Sequence, residues 1–372
     1  MMLKVCHITS AHPRYDIRIL TKECISLADA KYDVSLIVAD DKPDEVINGV
    51  KIYSVGKPLS RKYRMHKTPQ IIYAKIATLK PDIVHFHDPE LMFLGIKLAR
   101  HKFKVIYDVH EDLPKQVMNK HWLPKFIRPF ISLVVRQIER YCAKNIVGII
   151  TATPIIEDRF RTYNSNTRAV CNYPLLRELN PSNDIAWDTR QNRICYIGSI
   201  SKTRGIIPLV ESLAISKIVL DLAGIFSGDV TLDELKSLSG GEYINYLGIL
   251  DRQQIIALLQ KVKIGMVTLL PTPSYVESLP IKMFEYMLSG IPVIASNFPL
   301  WDSIIAHYNC GVLVDPTDKI AIANACNELL ANDEAAKLMG ERGKNVVKQS
   351  FNWEAEKDKL LAFYGYVGTP LK

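Results

Sequence analysis

Short apolar runs rich in Val, Ile and Leu alternate with helix-length segments along almost the whole chain. In the first half the runs that read as strands are Leu3–Thr9, Val34–Ala39, Val50–Val55, Asp82–His87, Lys104–Asp108 and Val147–Thr151. In the second half they are Arg193–Gly198, Lys217–Ala223, Tyr243–Leu247, Lys263–Thr268 and Pro292–Ala295. Most are continuous rather than alternating, the pattern of parallel strands covered on both faces. Strand–helix alternation in each half predicts an α/β protein of two Rossmann-like, doubly wound parallel-sheet domains. The stretch from Asn172 to Asp184 is rich in turn residues and poor in periodicity. It sets the boundary between a domain 1–177 and a domain 178–352. Helical patterns dominate from Asp318, and the last, 353–372, is expected to pack back on the first domain.

Ligands of such sheets bind beyond the carboxyl ends of the strands, so two such units would share one cleft between them. The most informative loop is Tyr275-Val276-Glu277-Ser278-Leu279-Pro280-Ile281-Lys282-Met283-Phe284-Glu285. Pro280 suits the first turn of a helix, and Gly290 followed by Pro292 suits its stop. Glu277 then lies just before a helix N-terminus and Glu285 about a turn inside it. Free N–H groups at that end attract phosphate. A carboxylate on each side can accept hydrogen bonds from a ribose and from a sugar. A nucleotide-sugar has those three parts.

The turn after the Arg193 strand, Gly198-Ser199-Ile200-Ser201-Lys202-Thr203-Arg204-Gly205, offers two cations and hydroxyls for a diphosphate whose charge grows as it leaves. His110, directly after a strand, is a candidate partner for donor sugar or acceptor. His85 and His87 are read as pointing to opposite faces of their strand, which makes them poor joint metal ligands, and no metal is assigned. The first loop, Ser10–Arg18, carries Arg14 and Arg18 as candidate phosphate ligands and Asp16 as a helix N-cap. Asp40-Asp41 reads as a solvated turn. Fingerprints of serine hydrolases, kinases and dinucleotide binders are absent.

Composition fits an ordinary soluble protein, with 48% hydrophobic and 23% charged residues. No apolar run approaches a membrane span, and the N-terminus reads as a first strand rather than a signal peptide. Seven scattered cysteines with no Cys-x-x-Cys suggest reduced thiols and a cytoplasmic setting. Charge is unevenly placed. Residues 1–177 hold 29 Lys+Arg against 17 Asp+Glu, whereas the remainder holds 18 against 22. The basic half contains Arg61–Lys67 and a stretch from Lys115 to Arg140 that mixes cations with Trp122, Phe126, Phe130 and Val134. A solvated face is one reading and an anionic membrane surface the other. No nucleic-acid motif accompanies the charge.

Glu277 through Ser296 resembles the Glu-x7-Glu signature of glycosyltransferase family 4, the retaining nucleotide-sugar transferases of the GT-B fold. The resemblance extends over nearly the whole chain. It implies that Glu285 accepts hydrogen bonds from the donor ribose and that Glu277 contacts the transferred sugar. It implies that N–H groups around Leu279, with Lys282, hold the diphosphate, and that His110 sits near the reacting centre. Gly198, Ser199, Lys202 and Arg204 fall in the phosphate-side turn and Asp16 in the first loop. Many relatives carry Arg where this chain has Ser199, and a Gly-Gly pair in the first loop where it has Pro13–Asp16. A retaining, metal-independent hexosyltransferase without a cofactor follows. It would move a hexose or N-acetylhexosamine from a nucleoside-diphosphate sugar to a saccharide or lipid-linked acceptor, in surface polysaccharide synthesis (O-antigen or capsule). The expected location is cytoplasmic, peripheral at the inner face of the plasma membrane. The alternatives are a nucleotide-sugar epimerase on the same fold and an inactive partner subunit of another transferase.

Overall fold

The computed structural model describes residues 2–120, 123–179 and 186–369. Trp122 and part of the expected boundary segment lie outside them. The described residues divide into two compact units, Met1–Asn172 with Ala355–Lys372, and Tyr173–Glu354. The final helix, Trp353–Gly368, belongs to the first unit from Ala355 onward.

In the first unit the strands are β1 (Lys4–Ile8), β2 (Asp33–Val38), β3 (Glu45–Ile47), β4 (Val50–Ser54), β5 (Ile83–Phe86), β6 (Lys104–Val109), β7 (Gly148–Thr151) and β8 (Thr167–Ala169). They form one sheet in the order β3-β4-β2-β1-β5-β6-β7-β8, parallel except for the β3–β4 pair. The central strands β1 and β5 are buried almost throughout, as their unbroken apolar runs require. Phe86 and Tyr107 stack at 4.5 Å in the core beneath the helices. The second unit holds β9 (Gln191–Ile197), β10 (Val219–Ala223), β11 (Ile244–Gly248), β12 (Val262–Val267), β13 (Val293–Ser296) and β14 (Gly311–Val314). Its sheet runs β11-β10-β9-β12-β13-β14, all parallel. Strand order reverses beside the first strand of each sheet, the doubly wound arrangement.

All eleven strands read from the sequence are present. Three were missed: β3, β8 and β14. Two are three residues long, and β14, Gly-Val-Leu-Val, is too short to stand out before the helical stretch that follows. All seven cysteines are buried free thiols. No helix among the described residues is long and apolar enough to cross a membrane.

One contact fixes the helix that carries Glu285. The helix Ile281–Leu288 lies on β12 where Gly265 leaves room for the Tyr286 ring. A Cβ at Gly265 would meet that ring at 2.2 Å. The Tyr286 hydroxyl in turn accepts from the Ile197 N–H at 2.9 Å, at the end of β9. Gly265→Val is expected to cost ~1–3 kcal/mol by overpacking. Urea unfolding checks this; a variant as stable as the parent would mean that the helix can shift freely.

Candidate functional site

The phosphate-side turn of the second unit begins at Gly198, whose φ of +128° suits glycine and whose Cα faces open space. Ser199 is turned to Ser227, their hydroxyls 2.6 Å apart, while its carbonyl accepts from Tyr196 at 2.8 Å. The Lys202 side chain is exposed, and its N–H donates to Asp229. Gly205 closes the turn at φ +73°, with Thr268 O where a Cβ would stand. Leu270 N–H donates to Thr203 O at 3.0 Å, tying this turn to the loop before the Glu285 helix. That loop is anchored again by Trp301, whose indole N–H donates to Ser278 O at 2.7 Å.

Pro280 is the N-cap of the helix rather than its first residue, and Gly290 stops it at φ +71°. The N–H groups of Leu279, Ile281 and Lys282 have no partner among the described residues, as a helix start requires. Lys282 is the notable member. Its ammonium is fully buried with no hydrogen-bond acceptor. It lies 3.5 Å over the Tyr196 ring. Burial first, then repulsion from Arg204, holds its pKa well below the ordinary lysine range. Tyr196 is pushed the other way, to about 12, chiefly by burial. Arg204 lies 5.8 Å from the Tyr275 ring. Two basic side chains, Lys282 and Arg204, thus lie close enough to repel each other at the start of this helix. Glu285 is nearly buried and accepts from Arg252 at 2.6 Å, and Arg252 also reaches Glu178 at 3.0 Å. Glu277 is half-buried in the loop before the helix.

The first unit gathers His110 and Asp16 around residues that the sequence reading passed over. Asp16 caps the helix Ile17–Cys24, accepting from Ile19 N–H at 3.0 Å. It also meets the His12 ring at 3.3 Å. Burial opposes its charge, but His12 and the Ile19 N–H bring its pKa down to about 2. His12 lies 4.7 Å from the His110 ring. His110 contacts Asp108 at 3.0 Å, and Asp108 also accepts from two Arg18 nitrogens, Nε and Nη2, at 2.9 and 2.8 Å, and meets His87 at 3.1 Å. Although burial favours its neutral form, Arg18 and the two histidines hold Asp108 well below the carboxylate range. His87 falls to about 4, mainly through burial. The loop itself is pinned by Asp88, which accepts from the N–H of Ser10 at 2.6 Å and the hydroxyl of Thr9 at 2.8 Å.

Three expectations need correction. Arg14 and Arg18 are not phosphate ligands here. Arg14 grips Asp40 in a two-point contact, with Glu45 at 2.8 Å, and Arg18 is committed to Asp108. Asp40 is therefore an ion-pair partner, not a solvated turn. His85 and His87 share a face, because side chains two apart on a strand point the same way. Their rings lie 4.7 Å apart, and the register places His7 beside His85. Two groups could hold a metal: His7, Glu23, His85 and His87, and His87, Asp108 and His110. In the second, Asp108 is already saturated by Arg18.

Two family profiles match the chain, Glycosyltransferase Family 4 over residues 20–172 and Glycosyl transferases group 1 over residues 180–346. The chain belongs to glycosyltransferase family 4. Among solved structures it resembles sucrose-phosphate synthase from Thermosynechococcus elongatus, with a TM-score of 0.78 at 19% identity over 98% of this chain and 99% of that one. It also resembles Anabaena HepE, solved with UDP and glucose, with a TM-score of 0.73 at 13% identity over 98% and 100% of the two chains. The fold is GT-B. A curated relative, the phosphatidyl-myo-inositol mannosyltransferase of Mycobacterium leprae, is 24% identical over 180 residues, 47% of each protein. The matches to the first curated relatives span less than half of those proteins.

The stranded ammonium has a measurable signature. Its cation–π contact is worth ~2 kcal/mol, against a desolvation cost of several kcal/mol for a buried ion. Lys282→Met keeps the length of the side chain and removes the charge. Unliganded, this variant is expected to be more stable than the parent by ~0.5–2 kcal/mol, while losing stabilisation by a nucleoside diphosphate. Thermal unfolding with and without UDP or GDP reads both; a variant less stable without ligand would mean that the ammonium has a partner.

Proposed function

We propose that this family 4 enzyme is a retaining transferase that uses a nucleoside-diphosphate sugar. The observation that carries the reading is the buried Lys282 ammonium beside Arg204 at the start of the Glu285 helix. The diphosphate supplies the missing acceptor: Lys282, Arg204 and the N–H groups of Leu279 and Ile281 hold it. Lys202, exposed on the same turn, meets the outer phosphate oxygens in place of the arginine that Ser199 replaces. Glu285 accepts from the ribose hydroxyls with the oxygen that Arg252 leaves over. Glu277 accepts from the transferred hexose or N-acetylhexosamine. As the bond to the sugar breaks, negative charge grows on the diphosphate where these donors already point. The acceptor hydroxyl attacks from the same face. The transfer itself needs no metal, because cationic side chains meet the leaving charge.

Support for a UDP-type donor comes from the HepE likeness, since that protein was solved with UDP and glucose. Support for a lipid-linked acceptor comes from the mannosyltransferase relative, whose name describes a phosphatidylinositol substrate. Surface polysaccharide synthesis at the inner face of the membrane is the setting that fits both. The helix Arg128–Asn145 adds a docking surface for anionic lipid. Phe93, Phe126, Phe130 and Leu133 are exposed by more than half, beside Lys125, Arg128, Arg136 and Arg140. Apolar side chains rimmed by cations suit an interfacial contact with anionic lipid.

Three measurements test the reading. Glu285→Ala is expected to weaken nucleotide binding by ~1.5–3 kcal/mol, the worth of hydrogen bonds to a charged group; unchanged affinity by calorimetry removes the ribose assignment. The chain should sediment with vesicles containing phosphatidylglycerol, release in high salt, and lose binding when Phe130 and Leu133 are both changed to Glu. Sedimentation independent of anionic lipid and salt would exclude the docking surface. Sugar isomerisation in the presence of donor alone would favour an epimerase instead.

A further inference from the structure

Beneath His110, three imidazoles and a carboxylate from three separate elements converge with no exposed surface. His7 comes from β1, Glu23 from the helix Ile17–Cys24, and His85 and His87 from β5 and the residue that follows it. Their ligand atoms all lie within 4.8 Å of one another. His7 Nδ1 is 2.9 Å from His87 Nε2 and 3.9 Å from Glu23 Oε2, and His85 Nδ1 is 3.8 Å from that same oxygen. A tetrahedral zinc with Zn–N distances of ~2.05 Å sets its ligand atoms ~3.3 Å apart. The observed spacings lie on both sides of that value.

Several polar atoms of the cluster have no hydrogen-bond partner among the described residues. Arg18 Nε approaches Glu23 Oε1 at 3.1 Å, but its N–H groups are committed to Asp108 and Val170 O. Neither Glu23 oxygen receives a hydrogen bond, and His85 Nε2 has none either. A single guanidinium therefore faces two buried carboxylates, Asp108 and Glu23. A buried polar group left so is destabilising, more so when charged. The outer partners that a metal site needs are nevertheless in place. His87 offers its other nitrogen, Nδ1, to Asp108 at 3.1 Å, and the Tyr364 hydroxyl lies 3.1 Å from His7 Nε2 and 2.7 Å from His85 Nδ1, which leaves His85 Nε2 as that ring's open nitrogen. A carboxylate or hydroxyl behind a ligating histidine fixes its tautomer and orientation.

We propose that His7, Glu23, His85 and His87 form a buried site for a divalent first-row transition ion, zinc being the ion that suits imidazole and carboxylate ligands in tetrahedral array. The ion clamps the first helix to β1 and β5. By holding His87 with Nδ1–H toward Asp108, it also fixes the carboxylate on which His110 rests. Its role is structural: it lies beneath the site and outside the transfer step, so it stands whether or not the donor assignment does.

The test uses the full chain, expressed in rich medium with any affinity tag removed. Elemental analysis is expected to find stoichiometric zinc or another first-row metal. Removal with dipicolinate should lower the melting midpoint by several degrees, and Zn2+ should restore it. Co2+ added to the stripped chain should give visible absorption bands. Glu23→Gln and His85→Gln should weaken Co2+ binding at least tenfold, while changes at the exposed His66 and His307 leave it unaltered. The proposal is overturned if the purified wild-type chain is metal-free and neither Zn2+ nor Co2+ raises its midpoint or gives a band. A Glu23→Gln variant that binds Co2+ as tightly as the parent would overturn the ligand set. Wild-type behaviour decides the matter even if a variant fails to fold.

Discussion

A buried ammonium without an acceptor is a cost that a folded chain retains only when something else depends on it. Lys282 is held in that state by the packing around it. Gly265 admits Tyr286, Tyr286 locks onto the end of β9, and the helix start is thereby pressed against the Tyr196 ring. Arg204, on the turn that follows β9, adds a second positive charge whose repulsion reinforces the effect of burial. The local structure thus disfavours the charged form of Lys282, and an anion would favour it. This is differential stabilisation in favour of whatever brings two phosphates and, later, more negative charge on them.

The first unit manages charge differently. The arginines of its first loop are committed: Arg14 to Asp40 and Glu45, Arg18 to Asp108. Arg18, His87 and His110 all meet one carboxylate, so the orientation of His110 is inherited from a rigid, buried partner rather than from its own loop. Thr9, Ser10 and Ala11 close onto Asp88 and keep His12 beside His110. Because the imidazoles of His7, His85 and His87 are buried, desolvation keeps them in the neutral form in which histidine binds metals.

Much of this was legible in the sequence for a simple reason. Continuous apolar runs, a Pro before and a Gly after the Glu285 helix, and a glycine at the end of β9 are local signals, and local signals survive without coordinates. β3, β8 and β14 escaped because each is too short for its periodicity to register. The ion pairs of Arg14 and Arg18 escaped because their partners lie far along the chain, at Asp40 and Asp108. The histidine cluster was misread through a period error: residues at i and i+2 share a strand face, and the pairing of β1 with β5 then adds His7. The burial of Lys282 had no sequence signal beyond its place in an apolar helix, since a lysine there would ordinarily snorkel outward.

The most direct check on the account is a crystal structure with an intact or hydrolysed nucleoside-diphosphate sugar. Lys282 Nζ and Arg204 should each reach a phosphate oxygen at ~2.8–3.0 Å, with Glu285 on the ribose and Glu277 on the sugar. A nucleotide bound with its phosphates away from Lys282, leaving that ammonium still without an acceptor, would contradict it.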